Sequence, residues 1–174
     1  CFGIVESGIL KAVNNTINGV EQCHSYFEAK DLFPEFLYFT GRKNYVYTLI
    51  AEKKSTVLWI PVHVLEEMLE KDQGLMYALL LYVCQRGLKD QLYLNCLNYQ
   101  TIRERIAYWI VGLHNLSPVE SVHMPGSQLI LANMLHVSRS SLNQELKLMQ
   151  KDGYFKVRGR EMYELDEEKL NALL

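Results

Sequence analysis

Arg139, Ser140, Ser141, Asn143, Gln144 and Lys147 fall in one short segment and carry the side chains that read nucleic acid. Arginine grips guanine through two hydrogen bonds, and asparagine or glutamine does the same to adenine. Serine and lysine are suited to phosphate, which positions a protein without specifying sequence. Such donors work only when they project from one side of a rigid rod. The steps Leu142, Leu146, Met149 predict that rod, a helix with those residues inward and Ser138 as its N-cap. Arg139, Ser140, Asn143, Gln144 and Lys147 then face outward toward base edges, with Ser141 and Lys147 placed for phosphate. Upstream, Ser127 caps a shorter predicted helix whose apolar face is Leu131, Met134 and Leu135. His136-Val137 leaves only a tight turn between the two, and Val137 is expected to plug the angle. Two short amphipathic helices joined this way form a helix-turn-helix.

Downstream, alternation on either side of Arg158-Gly159-Arg160 predicts a two-stranded hairpin, a wing that offers Arg158 and Arg160. From Arg139 to Arg160 the cations Arg139, Lys147, Lys151, Lys156, Arg158 and Arg160 face only Glu145 and Asp152. The whole chain carries a formal charge of -2, which argues against non-specific coating of nucleic acid. A local basic face is still expected here.

The elements that must position this segment are legible upstream. Thr101–His114 reads as an amphipathic helix with Ile102, Ile106, Trp109, Ile110 and Leu113 on one face, and Asn115–Glu120 reads as a loop. Pro61 opens a short helix over Val62–Glu70, and a long helix is expected from beyond Gly74 to about Tyr99. Within it Leu81, Gln85, Leu88, Leu92, Asn95 and Tyr99 alternate at four and three, the spacing of a two-stranded coiled-coil seam. The alternative is that this stripe packs on its own domain. The first sixty residues read as β: Phe2–Val5, Ile9–Val13, Val20–Phe27, Tyr45–Ala51 and Ser55–Ile60, with turn chemistry between them. Short strands with little helix suggest a sandwich or barrel, and further strands are expected upstream of Cys1. The reading is an α+β chain in three parts: a partial jelly-roll-like β domain at 1–60, a helical connector and dimerisation helix at 61–100, and a winged helix-turn-helix at 101–174.

Other chemistry is poorly supported. No G-x-S-x-G, Walker loop, H-E-x-x-H or Cys/His pair at a telling spacing is present, so catalysis is not expected. Cys1, Cys23, Cys84 and Cys96 show no CxxC and no zinc spacing; reduced thiols in a cytoplasmic protein are the simplest reading, with redox sensing by one of them the alternative. His24, His63, His114, His123 and His136 are scattered, and no metal site is expected. No apolar run approaches the ~18 residues that span a membrane.

The order of parts resembles the CRP/FNR superfamily of bacterial regulators: a β-roll sensor, a long dimerisation helix and a winged helix. Val137-Ser138-Arg139 followed by Leu142, Leu146 and Lys147 is similar to that family's recognition helix, with Arg139 at its base-reading arginine. Ser140 and Gln144 replace a common Glu and Arg, which implies a different operator. His136 stands where relatives carry the turn glycine. The resemblance implies a homodimer on an inverted-repeat operator in double-stranded DNA, with RNA polymerase as a further candidate partner. It also makes Glu35, Phe36, Asn44, Tyr45 and Tyr82 the candidate effector site. Glu35 matches the glutamate that holds a ribose, but Pro34 replaces the preceding glycine, and Asn44-Tyr45 replaces the Arg-Ser pair that holds the cyclic phosphate. A buried phosphodiester without arginine loses its charge-assisted hydrogen bonds. Arg42 and Lys43 are expected to be solvated in a turn. Cyclic AMP is therefore not expected to bind, and an unknown small molecule is the expected effector. Nothing resembles the cysteine cluster or axial histidine of iron–sulfur and haem relatives. The aromatics Phe33, Phe36, Tyr38, Phe39, Tyr45 and Tyr47 suit either an apolar ligand or plain core. Two other readings remain: a small-molecule carrier or enzyme on the β domain, and a helix-turn-helix serving only protein contacts.

Overall fold

A computed structural model describes the chain apart from residues 16, 20, 43 and 117–120 and the side chains of 21, 22, 24 and 38. The expectations for Lys43, for the Tyr38 and His24 side chains and for the loop at Ser117-Pro118 lie outside the described residues. The elements run β1 (Phe2–Asn15), β2 (Glu21–Glu28), β3 (Leu32–Phe33), α1 (Glu35–Phe39), β4 (Thr48–Ile60), α2 (Val62–Lys71), α3 (Gln73–Cys96), α4 (Ile102–Leu116), β5 (Ser121–His123), α5 (Gln128–Met134), α6 (Arg139–Lys151), β6 (Lys156–Arg158), β7 (Glu161–Tyr163) and α7 (Glu167–Asn171). They form two compact units, Cys1–Gln85 and Arg86–Leu174, and the division falls inside α3. No helix among the described residues is long and apolar enough to cross a membrane.

In the first unit β1 is the central strand. It pairs antiparallel with β2 over Ile9–Asn15 and with β3 at Gly3 and Ile4, and along its other edge with β4 from Phe2 to Val13. The sequence suggests two strands on each side of this β1–β4 ladder, and the structure has one of each. Glu6-Ser7-Gly8 does not end β1 because Gly8, at φ +92°, carries the chain through a bulge. A Cβ there would lie 2.2 Å from the Ser55 hydroxyl oxygen, so only glycine fits. That hydroxyl accepts from Ile9 N–H at 3.0 Å and donates to the Lys53 carbonyl at 2.7 Å, closing the gap in the ladder. Tyr45 and Tyr47 lie before β4 rather than in it. Val5, Leu10, Ala12, Phe27 and Phe33 form the sheet's core, with Tyr47 against it. Leu65 and Leu69 of α2 and Leu79 of α3 bury against Phe2. Each such side chain contributes roughly 1.5–3 kcal/mol.

In the second unit one core holds Trp109, Ile106 and Ile110 of α4, Leu131 and Leu135 around α5, and Leu142, Leu146 and Met149 of α6. A capping box starts α4: Thr101 Oγ1 accepts from Glu104 N–H at 3.1 Å, and the Glu104 carboxylate accepts from Thr101 N–H at 3.0 Å. The Thr101 N–H, joined by the Gln100 N–H at 3.1 Å, holds the Glu104 carboxyl below its ordinary range. The helix continues to Leu116, two residues into the segment read as loop.

The seam reading of α3 needs correction at three positions. The helix ends at Cys96, so Tyr99 is not on it; its ring lies 4.9 Å from that of Tyr108. Leu92 is 6% exposed, seated where a Cβ on Gly112 would meet its methyl at 2.1 Å. Asn95 donates to the Tyr108 hydroxyl at 3.4 Å. The apolar residues that α3 leaves exposed are Met76, Tyr77, Leu80, Leu81, Leu88 and Leu94, and exposed Cys84 lies among them. Of the expected stripe, Leu81, Gln85 and Leu88 are exposed.

Candidate nucleic-acid interface

The recognition geometry is built locally. Ser127 accepts from Ile130 N–H at 3.3 Å and starts α5, whose buried side is Ile130, Leu131 and Ala132, followed by Leu135. Met134, expected on that face, is only half-buried. The turn passes through His136 at φ +53°, a left-handed conformation that costs a side-chain-bearing residue strain. Val137 N–H then bonds the Ala132 carbonyl at 2.9 Å, and its side chain packs on the core as expected. Ser138 accepts from Ser141 N–H at 3.0 Å and caps α6, with the Ser140 and Ser141 hydroxyls 2.9 and 2.8 Å from its own. Its serines thus tie the first turn together.

With Leu142, Leu146 and Met149 fully inward, Ser140, Gln144 and Lys147 are exposed on the opposite side of α6, with Arg139 exposed at its start and Asn143 half-buried on the flank. Lys151, counted in the basic run but not among the residues expected at DNA, is exposed on the same outward side. Among the described residues no carboxylate lies within ion-pair distance of Arg139, Lys147 or Lys151. The wing forms as expected, β6 and β7 turning at Gly159, and β5 adds a third strand. Its charge differs from the sequence count. Glu161 and Glu164, just past Arg160, fold back on the hairpin: Lys156 pairs with Glu164, and Arg158 pairs with Glu161 at 3.4 Å and lies over the Tyr163 ring. The Glu164 hydrogen bond raises the Lys156 pKa, and the Ser121 hydroxyl, then Arg158, lower that of Glu161. The unpaired positive charge is thereby concentrated on α6.

Two supports are not legible in sequence. Arg105 of α4 donates from Nε to the Tyr99 carbonyl and from Nη1 to the Leu135 carbonyl, both at 2.9 Å, holding the helix-turn-helix turn to the start of α4. Arg103 pairs with Glu145 of α6 and, at 3.1 Å, with Asp152 at its end. Both contacts join residues far apart in the chain, so no local spacing signals them.

The candidate effector residues are spread over the first unit. Glu35 is 3% exposed at the start of α1. Phe36 and Phe39 are about half exposed, whereas Phe33 is core. Asn44 and Arg42 are exposed, and Tyr45 donates its hydroxyl to the Cys1 carbonyl at 2.9 Å. The Tyr82 hydroxyl accepts from Leu32 N–H at 3.0 Å and lies 3.2 Å from the Asp31 carboxylate, pinning the segment before Glu35. Of the cysteines, Cys1 and Cys84 are exposed, while burial pushes the Cys96 thiol up to about 12, which leaves it unreactive. No group of three metal-ligating side chains converges among the described residues.

Comparison with known proteins follows the same two parts. Residues 1–72 match the family model of a cyclic nucleotide-binding domain, and residues 104–173 match that of a Crp-like helix-turn-helix domain. No curated protein is matched by the chain. Among solved structures, FixK2 from Bradyrhizobium japonicum superposes with a TM-score of 0.67 at 15% identity, covering 99% of this chain and 86% of that one. A CooA mutant from Carboxydothermus hydrogenoformans gives 0.64 at 18%, covering 98% and 77%. The c-di-GMP responsive global regulator CLP of Xanthomonas campestris gives 0.58 at 21%, covering 93% and 83%. With these two domains in this order on this fold, the chain belongs to the CRP/FNR superfamily of transcription regulators.

Proposed function

We propose that the protein is a homodimeric, sequence-specific DNA-binding regulator whose β unit answers a small molecule other than cyclic AMP. The observation that carries this reading is the outward row on α6: Arg139, Ser140, Gln144, Lys147 and Lys151 are exposed, and the three cations have no carboxylate partner among the described residues. A free guanidinium and an amide on one rigid helix are what a major groove requires. Asn143 and Ser141 flank the row, and on this reading Arg158 would reach a phosphate only by leaving Glu161, with Arg160 beside it at the turn of the wing. The exposed apolar face of α3 supports pairing with a second copy, which would set two recognition helices about one turn of DNA apart.

Arg139→Ala is the test. Wild-type protein first enriches duplexes from a random pool, and fluorescence anisotropy then compares the variant on the enriched and a scrambled duplex. We expect a loss of roughly 1–3 kcal/mol on the enriched duplex and little on the scrambled one. Equal losses on both would reduce Arg139 to a phosphate contact. Wild-type binding should also fall steeply as salt rises, because bound cations release counterions; salt-insensitive association would favour a protein-contact role.

For the sensor, Asn44 and Tyr45 offer no charge to a cyclic phosphate, and the Tyr45 hydroxyl is already engaged. Titration calorimetry with cyclic AMP should show no binding heat, and micromolar affinity would refute this part of the reading.

A further inference from the structure

Glu145 is the one carboxylate on α6, the helix that also carries Arg139, Lys147 and Lys151. On its own helix the positions three and four residues away are Ser141, Leu142, Leu148 and Met149, none of them a cation. Its partner comes from α4: Arg103 Nε bonds its Oε1, and Arg103 Nη1 reaches the Asp152 carboxylate at 3.1 Å. The guanidinium lies over the Tyr154 ring at 5.6 Å, so contacts on several sides hold it in place. The two side chains are only 29% and 21% exposed. Screening by solvent is therefore weaker than for the pairs on the wing.

We propose that Arg103 tunes the affinity of the recognition helix by drawing the Glu145 carboxylate toward α4 and neutralising it, so that α6 offers DNA only Arg139, Lys147 and Lys151. This rests on the DNA-binding reading above. Arg103 acts here as a positioning residue and is not required to touch DNA. Without it the charge beside the recognition face falls by one, and the Glu145 carboxylate is free to turn toward the phosphates. Without Glu145 that charge rises by one. Removing both returns the charge to its starting value while leaving the ion pair broken, and this separates charge masking from simple scaffolding.

The experiment compares wild type, R103A, E145Q and R103A/E145Q by anisotropy on the duplex that wild type enriches from a random pool. A salt series is run at a temperature where thermal unfolding shows all four folded. R103A should bind about tenfold more weakly. E145Q should bind about threefold more tightly, with a salt slope steeper by up to about one. The double variant should return to within about twofold of wild type. A double variant as weak as R103A would overturn the proposal, because the loss would then be structural. E145Q binding no tighter than wild type would overturn it too, and that arm stands even if R103A fails to fold. Wild type that enriches no duplex would remove the DNA-binding reading and this one together, which distinguishes the two failures.

Discussion

Leu80→Glu combined with Leu88→Glu is expected to convert the protein from dimers to monomers in multi-angle light scattering, with the fold retained. Leu80 is 53% and Leu88 49% exposed on a helix that runs from Gln73 to Cys96, and Met76, Tyr77, Leu81 and Cys84 lie on the same side. Apolar exposure of this extent along one helix is costly in water, and a symmetric partner removes it. The substitutions place two carboxylates per protomer in a seam where each meets its symmetry mate, whereas in the lone chain both sites are already wet. DNA affinity should fall with dimerisation, roughly a hundredfold or more on an inverted repeat, because two half-sites would no longer be engaged together. A dimer that persists in the folded variant would show that this face is not the seam. Leu92→Glu serves as the contrast. Leu92 is buried against Gly112, so its substitution should unfold the second unit rather than split a dimer.

Trp109→Ala is expected to cost the second unit about 3–5 kcal/mol, the usual range for emptying a fully buried tryptophan site. A domain of ordinary stability has only about 5–15 kcal/mol to lose. Trp109 is completely buried in the core shared by α4, α5 and α6. Tyr93 packs against the same core, and burial pushes its pKa up to about 12. The cavity would open beneath both helices of the helix-turn-helix. Amide hydrogen exchange should therefore show protection lost across α5 and α6, with β1 and β4 of the other unit unaffected. Wild-type protection of α5 and α6 in the variant would mean that the core closes around the gap, and Trp109 would not be the support of that motif.

The helix-turn-helix is legible in the residues alone because its signals are local. Ser127 and Ser138 cap their helices through residues three positions on, and Leu142, Leu146 and Met149 mark the inward face within two turns. His136 and Val137 sit in a turn too short to leave other choices. The outward position of Ser140, Gln144 and Lys147 follows from the same periodicity. The wing hairpin is equally readable, but its charge is not. Glu161 and Glu164 lie past the basic run in sequence and come back onto Lys156 and Arg158 only when the hairpin closes.

Local sequence is enough to specify most of the helices and strands, the caps and turn of the recognition motif, and the order of the two domains. These follow from backbone preferences and side-chain spacing over a few residues. Which stripe of α3 is left exposed is a matter of tertiary contact, because this helix is apolar around much of its circumference. Leu79 is taken by Phe2 and Leu65, Leu92 is taken by Gly112, and Leu80 and Leu88 remain exposed. Tertiary contact also carries β1 through Gly8, since the hydroxyl that completes the ladder there belongs to Ser55 on another strand. The same holds for Arg103, whose carboxylate partners lie on a helix that sequence spacing cannot bring to it. Such choices depend on which distant surfaces meet, and periodicity along one segment carries no information about that.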